Sequence, residues 1–352
     1  MSGALLSAVA ACGASDGVSP SAGPTTSGPA AGDSIAAPVD SAAIPVDSTL
    51  IPVDTSAGLP DSSAGLPTDS IPAIEPSTLA SGMQPGIVFG SWGMYPEELN
   101  SIHTGTLRGG GITENNVISF LTAVRAKGGR LVLKMSMGRD SYVKTNGVFD
   151  LAKWKALVAR FKSVNLGPFI SDGTLMGHFL IDEPHRSAKW GKVVSQATVE
   201  SMAAYSKSIW PGMTTFVRVS PMWLASAPVT YRALDAGWLQ YGSGKGEVGQ
   251  LAAAEVSAAK SKGLGIVMGL NILDGGNGSS KVAGWTPGKY AMSATEIRTY
   301  GTAMLNLTYT CGFFSWMYED FGPAYYARTD IKSALVDLSN KAKAHVRTSC
   351  RQ

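Results

Sequence analysis

From residue 86 onward the chain alternates two hydrophobic patterns. Short runs of mostly apolar, β-branched or aromatic residues predict strands: GIVFGSW (86–92), RLVLKMSM (130–137), GHFLIDEP (177–184), TTFVRVSP (214–221), WLQY (238–241), GIVMGLNI (265–272) and GFFSWMYE (312–319). Between them lie longer stretches with apolar residues three and four apart, which predict amphipathic helices. These are NNVISFLTAVRAKGG, LAKWKALVARFKSV, TVESMAAYSKSIW, VGQLAAAEVSAAKSKG and ATEIRTYGTAMLNLTY, with DIKSALVDLSNKAKAHV after the last strand. Glycine follows helices in AKGGR and SKGLG, as left-handed C-terminal caps require. Strands alternating with helices mean a parallel sheet. Seven strands are clear, and NSIHTGTLRG (100–109) supplies an irregular eighth beside the first. Eight strand–helix units over about 260 residues predict an α/β fold, a (β/α)8 TIM barrel. An open doubly wound sheet is the alternative, but no Gly-rich phosphate loop follows the first strand.

The preceding 85 residues have another character. Residues 13–85 are dominated by Ser, Ala, Pro, Gly, Asp and Thr, with a seven-residue repeat APVDSAA, IPVDSTL, IPVDTSA, GLPDSSA. A proline in every unit forbids the coiled coil that a period of seven would otherwise suggest. The composition predicts a disordered, extended tether. It also splits the charge: eight acids and no Lys or Arg stand before residue 86, and the remainder holds all 29 basic residues against 18 acids. A basic folded part attracts anionic glycans or surface polymers, although solubility alone also accounts for charge. The bases are scattered without interleaved aromatics, so no nucleic-acid partner is expected.

At the start, Val9-Ala10-Ala11-Cys12 ends a short apolar run. It resembles a bacterial lipoprotein box, which implies signal cleavage before Cys12 and lipidation of that cysteine. No positive n-region precedes it. The expected organisation is a signal segment (1–12), a linker (13–85) and a barrel (86–352). The expected location is the cell envelope or extracellular space, anchored to a membrane by lipid. With Cys12 set aside, Cys311 and Cys350 form a pair suited to an oxidising compartment. Cys311 begins the eighth strand and Cys350 follows the helix returning to the same face, so a disulfide is expected there.

Active sites of such barrels lie at the C-terminal ends of strands. Those ends are unusually polar here. They hold Ser91 and Trp92, Lys134 and Ser136, Asp182 and Glu183, Arg218 and Ser220, Gln240 and Tyr241, Asn271, and finally Trp316, Tyr318, Glu319 and Asp320. Buried charges need partners, and the opposing reading is a structural ion pair, Asp182–Arg218 or Glu183–Lys134. Successive strand residues face opposite ways, so one carboxylate of Asp182-Glu183-Pro184 faces the mouth unless a bulge turns both. A carboxyl beside Leu180 and Ile181 can have its pKa raised and serve as a general acid. Two carboxyls across one cleft are the minimum for glycosidic cleavage. Aromatic residues at strand ends and in the following loops, among them Trp190, Trp223 and Trp285, offer flat faces for sugar rings. Four histidines without H-x-H or H-E-x-x-H spacing predict no metal, and no cofactor is expected.

FLIDEP followed by FFSWMYED resembles the strand ends of (β/α)8 glycoside hydrolases. In the large retaining clan A, an Asn-Glu-Pro ends the fourth strand and its Glu is the acid/base. Here Asp182 stands where that Asn would be. The clan's nucleophile ends the seventh strand, where this chain has Asn271 and, further out, Asp274, while Glu319 ends the eighth. Glu183, Tyr241 and Trp316 also match the acid, the sixth-strand Tyr and the eighth-strand Trp of chitinase-like families, without their Asp-x-x-Asp-x-Asp-x-Glu run. The resemblance implies a glycosidase acting on a polysaccharide or oligosaccharide as a monomer. Glu183 would be its acid/base. Glu319 is the first candidate for the second carboxylate, with Asp182 and Asp274 behind it. Lys134 and Arg218 would position these acids, and Trp92, Tyr241, Asn271, Trp316 and Tyr318 would bind sugar. The rival is a non-catalytic carbohydrate-binding or structural surface barrel.

Overall fold

The computed structural model describes residues 84–136, 138–319 and 322–351. The expected signal segment, all but the last two residues of the expected linker, and Cys12 lie outside the described residues. Eight parallel strands close into a barrel: β1 (Val88–Trp92), β2 (Gly105–Arg108), β3 (Arg130–Leu133), β4 (Leu175–Asp182), β5 (Thr215–Arg218), β6 (Ala236–Tyr241), β7 (Gly265–Leu270) and β8 (Thr310–Ser315). Each strand lies beside its sequence neighbours, and β1 closes on β8 from Val88↔Gly312 to Ser91↔Ser315.

The longer helices follow the predicted amphipathic stretches: α1 (Val117–Ala126), α2 (Leu151–Ala159), α3 (Gln196–Ile209), α4 (Val248–Ser261), α5 (Ala294–Leu305) and α6 (Thr329–Ala344). Local chemistry fixes their ends. Asp150, Ser195 and Glu247 accept hydrogen bonds from the first free N–H groups of α2, α3 and α4, and Ser293 with Glu296 forms a capping box on α5. Gly128 and Gly263 follow α1 and α4 at φ 62° and 65°, the left-handed turn that AKGGR and SKGLG predicted. Only a 3₁₀ turn, Pro96–Glu98, separates β1 from β2, and a short helix, Pro221–Ala225, separates β5 from β6.

Alternation along the strands sorts side chains into two cores. Val88, Leu107, Val132, Phe179, Phe216, Trp238 and Phe314 fill the barrel. The larger cluster packs the outer strand faces against the helices, with Trp154 of α2 and Met202 of α3 fully buried. His178 shows the change of face. It points outward from β4, stacks on Trp154 at 5.6 Å and meets Ser206 of α3 at 2.9 Å, while Phe179 points inward.

Cys311 and Cys350 are joined, 39 residues apart, where the barrel begins β8 and the chain leaves α6. Closing a loop of that length restricts the unfolded chain by roughly 4 kcal/mol in the chain-entropy treatment. Cys350→Ser is therefore expected to lower the melting temperature markedly. Melts of the native chain that coincide with and without reductant would contradict this.

Candidate active site at the barrel mouth

The mouth is organised by the end of β4. Phe179 pairs with Phe216 but Asp182 pairs with Arg218, so β4 carries one residue more than β5 over this interval. The extra residue is a bulge, which bends the strand and re-aims side chains. Glu183 then takes a left-handed conformation, φ 48°, while its N–H donates to the Arg218 carbonyl at 2.9 Å. A non-glycine residue held there costs about 1–2 kcal/mol, and such conformations gather at functional sites. The consequence is geometric. Both carboxylates of Asp182-Glu183 turn to one guanidinium, so the alternation expected of a regular strand does not hold.

Arg218 is the hub. Its Nε and Nη2 donate to the two oxygens of Asp182, the second at 2.9 Å, and Nη1 donates to Gln240 of β6. Glu183 Oε2 lies 3.5 Å from Nη2 and 2.9 Å from Arg186 Nη1. Lys189, on a short helix at Ser187–Trp190, donates to Asp182 and stands 3.3 Å from Asp140, which also binds Lys134 at 2.9 Å. Burial alone would raise the pKa of Asp182, but Arg218 and Lys189 outweigh it and hold the carboxyl well below the usual range. Asp182 is thus a permanent anion rather than a proton donor. Burial lowers Arg218 and Lys189, yet the same carboxylate more than compensates and raises both. Of the two structural ion pairs weighed from sequence, Asp182–Arg218 forms. Lys134 pairs with Asp140 in place of Glu183.

Beside this network lies a cavity of about 710 Å³, in the size range of small-molecule sites. Glu183 lines it from β4, Arg218 from β5, Trp238 and Gln240 from β6, and Asn271 and Asp274 from beyond β7. Asp274 is therefore the second carboxylate of this cavity. The segment 271–292 forms one wall and is bonded largely to itself. Asp274 accepts from Thr286 N–H at 2.8 Å and from its hydroxyl at 2.7 Å, Gly276 N–H donates to the Tyr290 carbonyl at 2.9 Å, and Met292 N–H donates to the Ile272 carbonyl at 2.7 Å. Tyr290, largely exposed, adds an aromatic face to the lining.

Other predicted residues stand elsewhere. Glu319 does not line the cavity. It binds Arg108 at 2.6 Å, on the β1–β2 side, where that guanidinium covers the Tyr95 ring at 3.4 Å. Trp92 caps the barrel interior edge-on to Phe179 at 5.2 Å, with Arg218 6.0 Å from its ring. Tyr241 is buried against Tyr300 of α5 at 4.9 Å, in the strand–helix layer. Trp316 extends β8 through a bridge to Asn271. Tyr318 donates its N–H to the Trp92 carbonyl at 2.8 Å and packs on Tyr326 and His103. Lys134 is buried in its pair with Asp140. The structure thus brings Glu183, Arg218 and Asn271 to one cavity, with Asp182 directly behind. It leaves Glu319, Tyr241, Trp316 and Tyr318 outside the lining.

Sequence reasoning did not single out Asp140, Arg186, Lys189, Lys245, Lys289 or Tyr290. All sit in loops or short helices after strands, where no periodicity marks them. The one available signal was proximity, since Arg186 and Lys189 follow Glu183 by three and six residues. Among the described residues no group of three or more His, Cys, Asp or Glu could hold a metal.

No protein-family model matches the chain, and no curated protein does. Solved structures with a similar path include Saccharomyces cerevisiae Gas2p in complex with laminaritriose and laminaritetraose (14% identity, TM-score 0.45, 77% of this chain and 67% of that one). Others are an exo-β-1,4-mannosidase from Opitutaceae bacterium strain TAV5 (11%, 0.46, 78% and 62%) and a β-glucuronidase from uncultured Clostridium sp. (11%, 0.47, 74% and 50%). The chain spans between half and about two thirds of these proteins' lengths. At such identities no residue's role is transferred.

Proposed function

We propose that the protein is a glycoside hydrolase acting on a polysaccharide or oligosaccharide at the barrel mouth. The observation that carries this reading is that Glu183, from the end of β4, and Asp274, from beyond β7, line one cavity of substrate size. Glycosidic cleavage needs one carboxyl to protonate the leaving oxygen and a second to act as nucleophile or to activate water. Glu183 is assigned as the acid/base and Asp274 as its partner. Asp274 replaces Glu319, which is committed to Arg108 outside the cavity. Asp182 positions Arg218, and Arg218 in turn orients Glu183. Asn271 and Gln240 offer amides to sugar hydroxyls, and Trp238 and Tyr290 offer ring faces. Lipidation at Cys12 and a reach across residues 13–85 would place the barrel at the cell envelope, beside polymeric substrate.

The test is reducing-end release from a panel of soluble and insoluble glycans. Glu183→Gln is expected to melt as the native chain does and to lose at least about a hundredfold in turnover. Asp274→Asn is expected to behave likewise, and Glu319→Gln to keep its activity. Native turnover in Glu183→Gln would refute the assignment. One observation favours a second reading, a carbohydrate-binding barrel without catalysis: Glu183 is already engaged by Arg186 at 2.9 Å and Arg218 at 3.5 Å. Glycan binding with no hydrolysis by the native chain would establish it.

A further inference from the structure

The charge lining the cleft is unbalanced. Four basic side chains, Arg186, Arg218, Lys245 and Lys289, face it with two carboxylates, Glu183 and Asp274. Counting the second layer reduces the excess without removing it, because Asp182 and Asp140 are matched by Lys189 and Lys134 and only buried Glu255 adds a further carboxylate. The arginines are occupied, Arg186 by Glu183 and Arg218 chiefly by Asp182. The two lysines are not. Among the described residues Lys245 Nζ donates to the Gln240 carbonyl at 2.7 Å and forms no ion pair, although Glu255 and Glu183 act on it from further off. The Lys289 ammonium makes no hydrogen bond or ion pair with the described residues. They come from different walls, Lys245 from the loop after β6 and Lys289 from the segment after β7, and they converge on the same cavity.

We propose that this cleft takes a polyanionic glycan, one whose sugar rings carry carboxylate or sulfate groups, and that Lys245 and Lys289 receive those groups. The inference rests on the reading of the cleft as a glycan site and adds the class of glycan. A neutral polymer would leave both ammonium groups unpaired, and it would replace their water with nothing of opposite charge. Crowding gives the same direction: partial desolvation and the Arg218 guanidinium lower the pKa of Lys245 against the opposing pull of Glu255 and Glu183, and an arriving anion would relieve the remainder. At longer range, the excess of bases over acids after residue 85 draws polyanions toward the barrel.

The experiment is equilibrium binding of the full chain carrying Glu183→Gln, so that polymer is not consumed. Three probes are compared at about 50 mM salt, where surface electrostatics are weakly screened: polygalacturonate, dextran sulfate and neutral laminarin. One or both polyanions are expected to bind at least about tenfold tighter than laminarin, and the tighter one identifies the charged group. Adding Lys245→Gln and Lys289→Gln is expected to cost about tenfold or more. Adding Lys332→Gln and Lys341→Gln, on the exposed face of α6, changes the net charge equally and is expected to cost less than about twofold. Laminarin binding as tight as the tighter polyanion would overturn the proposal, as would equal losses in the two lysine pairs. Hydrolysis of a neutral glycan by the native chain without polyanion binding would sink this inference and leave the hydrolase reading standing. Polyanion binding without turnover of any glycan would do the reverse.

Discussion

Arg218→Met is expected to destabilise the folded protein by about 3–5 kcal/mol, the usual consequence of leaving a buried charge without its partner. The side chain contributes more than one pair. It holds both oxygens of Asp182, donates to Gln240 on the next strand and stands 3.5 Å from Glu183. Asp182 is only 7% exposed, so water cannot replace what the guanidinium supplies. Lys189 remains on one oxygen and limits the loss. Urea denaturation of Arg218→Met, and of the same chain carrying Asp182→Asn, checks the account. The second substitution removes the stranded charge and should recover part of the loss. A loss under about 1 kcal/mol for Arg218→Met would mean that the network is solvated and carries little, as exposed pairs do.

A comparable loss is expected from mild acid, through two histidines away from the mouth. His103 is buried among Phe89, Tyr318 and Tyr326, and burial lowers its pKa to about 4. His178, fully buried between Trp154 and Ser206, is lowered to about 3 for the same reason. In the unfolded chain both titrate near the ordinary histidine value of about 6.5. Between that pH and the folded values, the unfolded chain binds protons that the folded one refuses, so stability falls as pH falls. The contribution is complete above about pH 6.5 and gone once both folded values are passed, roughly 3 kcal/mol or more for each ring. Asp182 adds to the slope only below about pH 5, where its unfolded carboxyl begins to protonate. Denaturant midpoints measured from pH 7.5 to 4.5 should drop steadily, and His178→Gln should flatten the slope. A flat native profile across that interval would refute the assignment.

The barrel was legible because its signal is repetitive. All eight barrel strands overlap the runs read from sequence, three of them starting two residues earlier, and the irregular one settles at Gly105–Arg108. Each long helix overlaps its amphipathic stretch, because a helix between sheet and water must carry an apolar stripe. The disulfide was legible for the same reason, since counting strands fixes which end of the barrel each cysteine occupies. The site was legible in part. Its strand-borne residues, Asp182, Glu183 and Arg218, meet as their positions suggested. The surroundings of Glu319 were not legible, because strand counting says where it leaves the barrel but not that Arg108 will pair with it. Tyr241 follows the pleat outward to Tyr300, a direction that a one-residue change of register would reverse. Lys189, Lys245 and Lys289 were invisible because loop conformation follows no period.

The segment from Asn271 to Met292 has a consequence for how this protein could diversify. It closes on itself through Asp274–Thr286, Gly276–Tyr290 and Ile272–Met292, and its two ends leave from β7 and enter α5. It is tied to the rest of the rim at its base, where Ile272 N–H donates to the Trp316 carbonyl and Ser243 N–H donates to the Gly275 carbonyl, and it supplies Asp274, Lys289 and Tyr290 to the cleft. A wall built this way is a cassette. Changes confined to the stretch between Leu270 and Ala294 would alter the lining of the cleft while leaving the strands and long helices of the barrel in place.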